Sequence, residues 1–274
     1  MSKNRKIVIA AIAVVVLAVG GAFGWLLFIR DDAPPALNSS DLADALDNAN
    51  DTTIATTLVS TPAAAGSVAP QATTAATSAA SATATANTDG IASTDAGGST
   101  GDVTGTWAIS SDSTLGYRVQ EVLSGIDSEG AGRTNQVTGT LTIEGTSVVA
   151  AEFTVQMASI TSDSDRRDGQ FRDRIMSTDD FPTSTFVLTA PIDFGQIPAE
   201  GTPITATAAG DLTLRGVTNS VTFDIEAQIT GGRIGVLGNI PVLFSEYEIP
   251  DPSNAIATVK DNGLLEFVLV FDRT

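Results

Sequence analysis

The feature that most constrains this chain is a two-residue alternation that recurs from Thr104 to the C-terminus. In "VTFDIEAQI", Val221, Phe223, Ile225, Ala227 and Ile229 share one side, while Thr222, Asp224, Glu226 and Gln228 share the other. "LEFVLVF" places Leu265, Phe267, Leu269 and Phe271 together in the same way. Only a β-strand puts every second side chain on one face, so these runs are strands with one apolar face. "VTGTLTIEG", "VVAAEFTVQMASI", "STFVLTA" and "GDLTLRG" are further short β-rich runs, separated by Gly, Asn, Asp and Pro. Repeated one-sided strands with tight connections build an antiparallel sandwich or a closed barrel. No long amphipathic helix interrupts them, which argues against a doubly wound α/β fold.

The residues upstream have a different character. Ile7 to Ile29 is an unbroken run of 23 apolar or small residues, preceded by Lys3, Arg5 and Lys6 and followed by Arg30, Asp31 and Asp32. Such a run is long enough to cross a bilayer as a helix. The positive excess before it puts residues 1–6 in the cytoplasm and the rest of the chain outside. The alternative is a cleaved signal peptide, but its apolar region is ordinarily shorter, and no small-x-small site directly follows Ile29. Residues 30–103 form a linker dominated, from Ala33 onward, by Ala, Thr, Ser, Pro and Asp, as in "TTAATSAASATATANTDG". This composition predicts a disordered tether with a span of roughly 45 Å. "SSDLADALDNAN" is the one stretch that can form a short helix, capped by Ser39 or Ser40.

Composition then removes several chemistries. The chain has no cysteine and no histidine, so thiol nucleophiles, disulfides, Ser-His-Asp triads and His-based zinc sites are excluded. A net charge of −18 argues against nucleic acid as a partner. Paired carboxylates alone can run a glycosidase, yet no local pattern singles out two of them, and the expectation is a protein without catalysis.

The densest cluster of charge is "SDSDRRDGQFRDRIMSTDDFP", residues 162–182, with four arginines and six aspartates. Asp163 precedes Arg167 by four residues, and Asp168 precedes Arg172 by four, the favourable order on a helix. Phe171 and Ile175 share that spacing, so one face of the segment can close over a barrel end. "DSDRRDG" departs from a calcium-binding loop, because Arg167 takes the fifth position and Asp168 the sixth. Arg167 with Asp168 is expected to hold the fold.

Three stretches together resemble the signatures of the YceI-like polyisoprenoid-binding proteins. They are "SITSDSDRRDGQFRDRIMSTDDFPTSTFVL" (159–188), "GDLTLRGVTNSVTFDIEA" (210–227) and, more weakly, "IPVLFSEYEIPDPS" (240–253). The resemblance covers residues 104–274. It implies an all-β, eight-stranded antiparallel lipocalin-like barrel with a short helix at one end. That family holds the apolar tail of a long isoprenoid, a quinone or polyprenyl lipid such as a polyprenyl phosphate, in the barrel lumen. One position departs from the pattern: Gln170 stands where the family often carries His.

The expected lumen residues are Phe153, Val155, Met157, Phe186, Leu188, Phe223, Ile225, Phe267 and Leu269, with Phe171, Ile175, Met176 and Phe181 at the mouth. Arg167 and Arg172 are the candidates for touching a headgroup. The bland reading of the apolar set is a filled core, and a surface interaction domain with a packed barrel is the competing function. The whole chain reads as a membrane-anchored extracytoplasmic lipid carrier, with oligomeric state open and a homodimer among the options.

Overall fold

The computed structural model of the chain describes residues 33–55, 102–255 and 257–274. The apolar run 7–29 and most of the linker lie outside the described residues. Twelve strands follow one another, all joined antiparallel. They are β1 (Gly105–Ile109), β2 (Thr114–Leu123), β3 (Ile126–Thr134), β4 (Val137–Glu144), β5 (Ser147–Gln156), β6 (Thr161–Ser162), β7 (Thr183–Leu188), β8 (Ile192–Asp193), β9 (Ile204–Leu214), β10 (Val217–Thr230), β11 (Arg233–Leu243) and β12 (Ala257–Arg273). Among the described residues two α-helices accompany them, α1 (Ser39–Ala55) and α2 (Asp165–Gln170).

β1 and β2 are one strand broken at Ser110–Ser113, because both pair with β12. β3 and β4 likewise run on from each other opposite them. At the break, Ser113 Oγ accepts the Val270 N–H at 2.9 Å, so a hydroxyl fills the gap in the ladder. Counted this way, eight strands neighbour each other in sequence order and close where β12 meets β1 and β2. The fold is the expected eight-stranded antiparallel barrel with a short helix. Three of its hairpins turn on two residues of positive φ, as at Arg215–Gly216 (+50° and +79°) between Leu214 and Val217. That backbone matches strand twist and favours glycine at the second place.

β10 is buried at Phe223, Ile225 and Ala227 and exposed at Thr222 and Asp224, as its alternation predicts. β12 is different, for it is buried at every position from Glu266 to Phe271. Phe267, Leu269 and Phe271 belong to the main core, while Val268 and Val270 belong to a second cluster outside the ring with Leu37, Leu42, Leu46 and Leu237. α1 forms that cover. A Cβ on Gly235 would sit 2.6 Å from Leu42 Cδ1 and 2.9 Å from Leu46 Cδ1, so the glycine lets the helix approach β11.

This corrects the tether in part. Residues 33–47 are not free linker but a strap packed along the outer wall, because Leu37, Leu42 and Leu46 bury their side chains there. The helix cap also differs from expectation. Asn38, not Ser39 or Ser40, caps it: Asn38 Oδ1 accepts the Ser40 N–H, and Asp41 Oδ2 accepts the Asn38 N–H, both at 2.8 Å.

The strap also roofs a buried charge. Glu266, with no exposed surface, accepts from Arg118 Nε at 3.2 Å and Arg133 Nη2 at 2.9 Å, and from the Leu37 N–H at 3.3 Å. The two guanidiniums continue to the strap itself, Arg118 donating to the Pro34 carbonyl at 2.6 Å and Arg133 to that of Pro35. Burial works to lower the Arg118 pKa, but Glu266 and Glu129 outweigh it and hold it above its ordinary value. Removing one member of a buried ion group leaves the others uncompensated, so Glu266→Ala is predicted to cost about 3–5 kcal/mol in urea unfolding. A loss under about 1 kcal/mol, the scale of an exposed pair, would show that the network does not hold the wall.

Candidate functional site: a divided barrel lumen

Four phenylalanines meet across the middle of the barrel. Phe153 stacks on Phe186 (centroids 5.3 Å apart) and leans on Phe267 (5.8 Å), while Phe223 sets its edge against Phe186 (5.5 Å) and Phe267 (6.1 Å). Two glycines, one on β9 beside β7 and one on β11 beside β12, clear the space for them. A Cβ at Gly210 would lie 2.3 Å from the Phe186 ring, and one at Gly238 would lie 2.3 Å from the Phe267 ring. Any larger residue there would displace a ring, so the aromatic layer is fixed by what the wall lacks.

The layer divides the lumen. Below it lies a small chamber of about 110 Å³, lined by Phe186, Leu188, Phe223, Ile225, Phe267 and Leu269 among others. Above it lies a larger one of about 570 Å³, lined by Val155, Met157, Phe171, Ile175, Met176 and Arg167 together with residues from β2, β9, β11 and β12. Phe153 borders both. Eleven of the thirteen apolar residues expected at the lumen and mouth besides Phe153 and Phe181 therefore resolve into two separate walls, five above and six below.

Local backbone geometry explains which mouth residues turn inward. After α2, residues Phe171–Ile175 wind one turn wider than an α-helix, closed by the Met176 N–H to Phe171 carbonyl bond at 2.8 Å. Phe171, Ile175 and Met176 thus face the upper chamber. Phe181 is a correction: it lines neither chamber, but packs against Gly216 with the Arg215 guanidinium 5.6 Å from its ring centroid. Arg172 is a second correction, because it lines neither chamber.

The charged segment serves mainly to hold this end together. Arg167 pairs with Asp163 and, at 3.3 Å, with Glu121 on β2. Burial works to lower its pKa, yet those two carboxylates outweigh it and raise it. The expected Arg167–Asp168 pair is replaced by a different contact: buried Asp168 accepts from Ser162 N–H at 2.8 Å and Ser162 Oγ at 2.6 Å. Arg174 donates to the carbonyls of Asp251 and Pro252 at 2.9 and 2.8 Å, tying the wide turn to the opposite rim. Arg166 is exposed on the rim of the upper chamber.

Several contributors to the upper chamber were not singled out by the sequence, among them Tyr117, Leu212 and Ser184. Tyr117 stacks on Phe171 with centroids 5.0 Å apart, in space left by Gly132, and burial pushes its phenol up to about 12. Leu212 lies on a strand whose alternation is legible, so its place could have been read. Ser184 is buried in the wall, and its hydroxyl has no hydrogen-bond partner in the protein. Among the described residues no cluster of three or more acidic side chains is arranged to hold a metal ion.

Comparison with known proteins fits this architecture. The model of the YceI-like domain matches residues 79–271. Among solved structures, a polyisoprenoid binding domain from Saccharophagus degradans, implicated in plant cell wall breakdown, aligns with a TM-score of 0.52 at 16% identity, covering 62% of this chain and 99% of that one. BcnA of Burkholderia cenocepacia aligns at 0.44 with 20% identity, over 57% of this chain and 95% of its own. The YCEI protein of Campylobacter jejuni aligns at 0.40 with 19% identity, over 50% and 82%. No curated protein matches the chain in sequence. The family match takes in every strand of the ring from β1 to β12, and by it this chain belongs to the YceI-like family.

Proposed function

We propose that this chain holds the apolar tail of an isoprenoid lipid in the upper chamber of its barrel, at a membrane into which residues 7–29 anchor it. The observation that carries the reading is the chamber itself. A cavity of about 570 Å³ is within the roughly 300–1,000 Å³ range of small-molecule sites. Its walls are mostly apolar, so binding would draw on about 25 cal/mol for each Å² removed from water, offset by the entropy of ordering a flexible tail. The domain from Saccharophagus degradans, described as polyisoprenoid-binding, shares the barrel. A surface domain with a filled interior would have no use for this space.

The mouth favours a neutral head. Arg167 is already matched by two carboxylates, a phosphate would displace one of them, and exposed Arg166 shares the rim with Glu121, Glu129 and Asp163, so acids outnumber arginines there. A quinone or prenyl alcohol suits such a rim better than a polyprenyl phosphate. The reading is of binding and transfer, with the anchor keeping the barrel on the outer side of the membrane that stores such lipids.

The first test is mass spectrometry of an organic extract of the protein purified from its own host without detergent. A stoichiometric prenyl lipid is the expected result, and Val155→Trp, which intrudes on the upper chamber, should lower the amount bound. If neither protein carries lipid and added quinones fail to bind, the carrier reading is wrong. A second test uses the aromatic layer. Phe153→Ala joins the two chambers at a cost of about 3–5 kcal/mol in stability, and the variant should accept longer prenyl chains than the parent in competition assays. The third is optical. Because the Tyr117 phenol stays protonated to about pH 12 in the fold, while an unfolded tyrosine ionises near 10, the unfolded state loses its proton first. Stability should therefore fall as pH rises from about 10 to 12, and Tyr117→Phe should flatten that slope in pH-dependent denaturation.

A further inference from the structure

Three facts about one wall of the barrel bear on how it meets a bilayer. The first is that the strap leaves almost no slack. Ala33 onward is docked, and the carbonyls of Pro34 and Pro35 are held by Arg118 and Arg133. Only Arg30, Asp31 and Asp32 separate Ile29 from the docked chain. The five residue steps from Ile29 to Pro34 reach at most about 18 Å.

The second fact is where the strap leaves the wall. From Arg118, β2 runs six residues up to the turn at Ser124, beside the mouth of the upper chamber. That is about 20 Å along the strand, or about 15 Å along the axis of a barrel whose strands tilt by 35–45°. In the other direction, Leu264, the β12 partner of Arg118, lies nine residues from Arg273. That is about 30 Å along the strand and about 23 Å along the axis. Taken from the level of Arg118, whose guanidinium holds Pro34, the extended link of about 18 Å matches the distance to the mouth end more closely than the distance to the other end.

The third is the character of the mouth end. Among the described residues the large exposed apolar side chains are Val122, Ile126, Val187 and Leu243. Val122 and Ile126 flank the β2–β3 turn, and Leu243 ends β11 beside the chamber residues Val242 and Phe244. These three lie at the mouth end of the adjoining strands β11, β12, β2 and β3, the same wall that carries the strap. Apolar tips at the rim of a chamber suit insertion into the headgroup region of a membrane.

We infer that the docked strap holds the barrel mouth-down on the bilayer, with Val122, Ile126 and Leu243 dipping into its surface, so that the upper chamber opens directly onto lipid. The inference rests on the anchored reading of residues 7–29 given above. The strap then acts as a bracket that sets orientation, and a ligand passes between membrane and chamber without crossing water.

The experiment uses the full chain, which has no cysteine of its own, in phosphatidylcholine vesicles containing a headgroup-nitroxide lipid. A bimane dye is attached through Ile126→Cys at the mouth or through Thr202→Cys at the opposite end. The dye at position 126 should be quenched several-fold more strongly than the dye at position 202. Adding Leu42→Asp and Leu46→Asp, which undock the strap, should erase the difference while the protein still floats with the vesicles. Equal quenching in the strapped protein, stronger quenching at position 202, or a difference that survives undocking would each overturn the bracket and leave the anchor standing. Failure to float with the vesicles would overturn the anchor and the bracket with it.

Discussion

Closure of the hydrogen-bonded ring is the constraint on which the rest of this structure depends. β12 is long enough to pair with β11 from Asn262 to Phe271 on one side and, on the other, with β2 and then β1, across a bulge between Val259 and Gly263. Once the ring is shut, alternation along a strand has a single meaning: one set of side chains faces the lumen and the other faces outward. A slip of one residue anywhere would exchange the two sets throughout that strand. The aromatic layer, the two chambers and the outer strap all inherit their positions from that register.

Within the ring, volume is distributed unevenly. The centre is closed by four rings seated over two glycines, whereas the end near α2 is propped open by a wide helical turn and by arginine contacts around its rim. The buried polar groups near this end are spent on geometry. Asp168 fixes the entry to α2, Arg167 joins α2 to β2, and Arg174 fastens the turn to the residues after Ile249. A cluster that in sequence could serve a ligand or a fold is, in this arrangement, chiefly a set of struts.

The ring and the identity of its inward residues were legible in the sequence because period two is a local property. Phe223, Ile225, Phe267 and Leu269 face inward for that reason alone. The division of the lumen was not legible, because whether four phenyl rings meet depends on strands far apart in the chain. The wide turn after α2 was equally hidden, since its spacing looks helical. Phe181 reads as one more apolar residue of the mouth and is instead claimed by Arg215. The strap did leave a trace: Val268 and Val270 occupy positions of β12 that should face water, and apolar residues on both faces of a strand imply a cover on both.

The strap has a consequence for how the molecule is made. Leu37 and the carboxylate it caps are 229 residues apart, and its platform is completed only by the two last long strands. During vectorial synthesis the segment that emerges early has nothing to settle on until β11 and β12 arrive. Glu266 enters with β12, after its two arginines are in place on β2 and β3, and is still open on one side. Contacts of such long range are late and slow to form. Docking of the strap therefore has to follow the arrival of β12, and a chain stalled before that point carries an ion group without its roof and an uncovered apolar stripe as the marks of unfinished work.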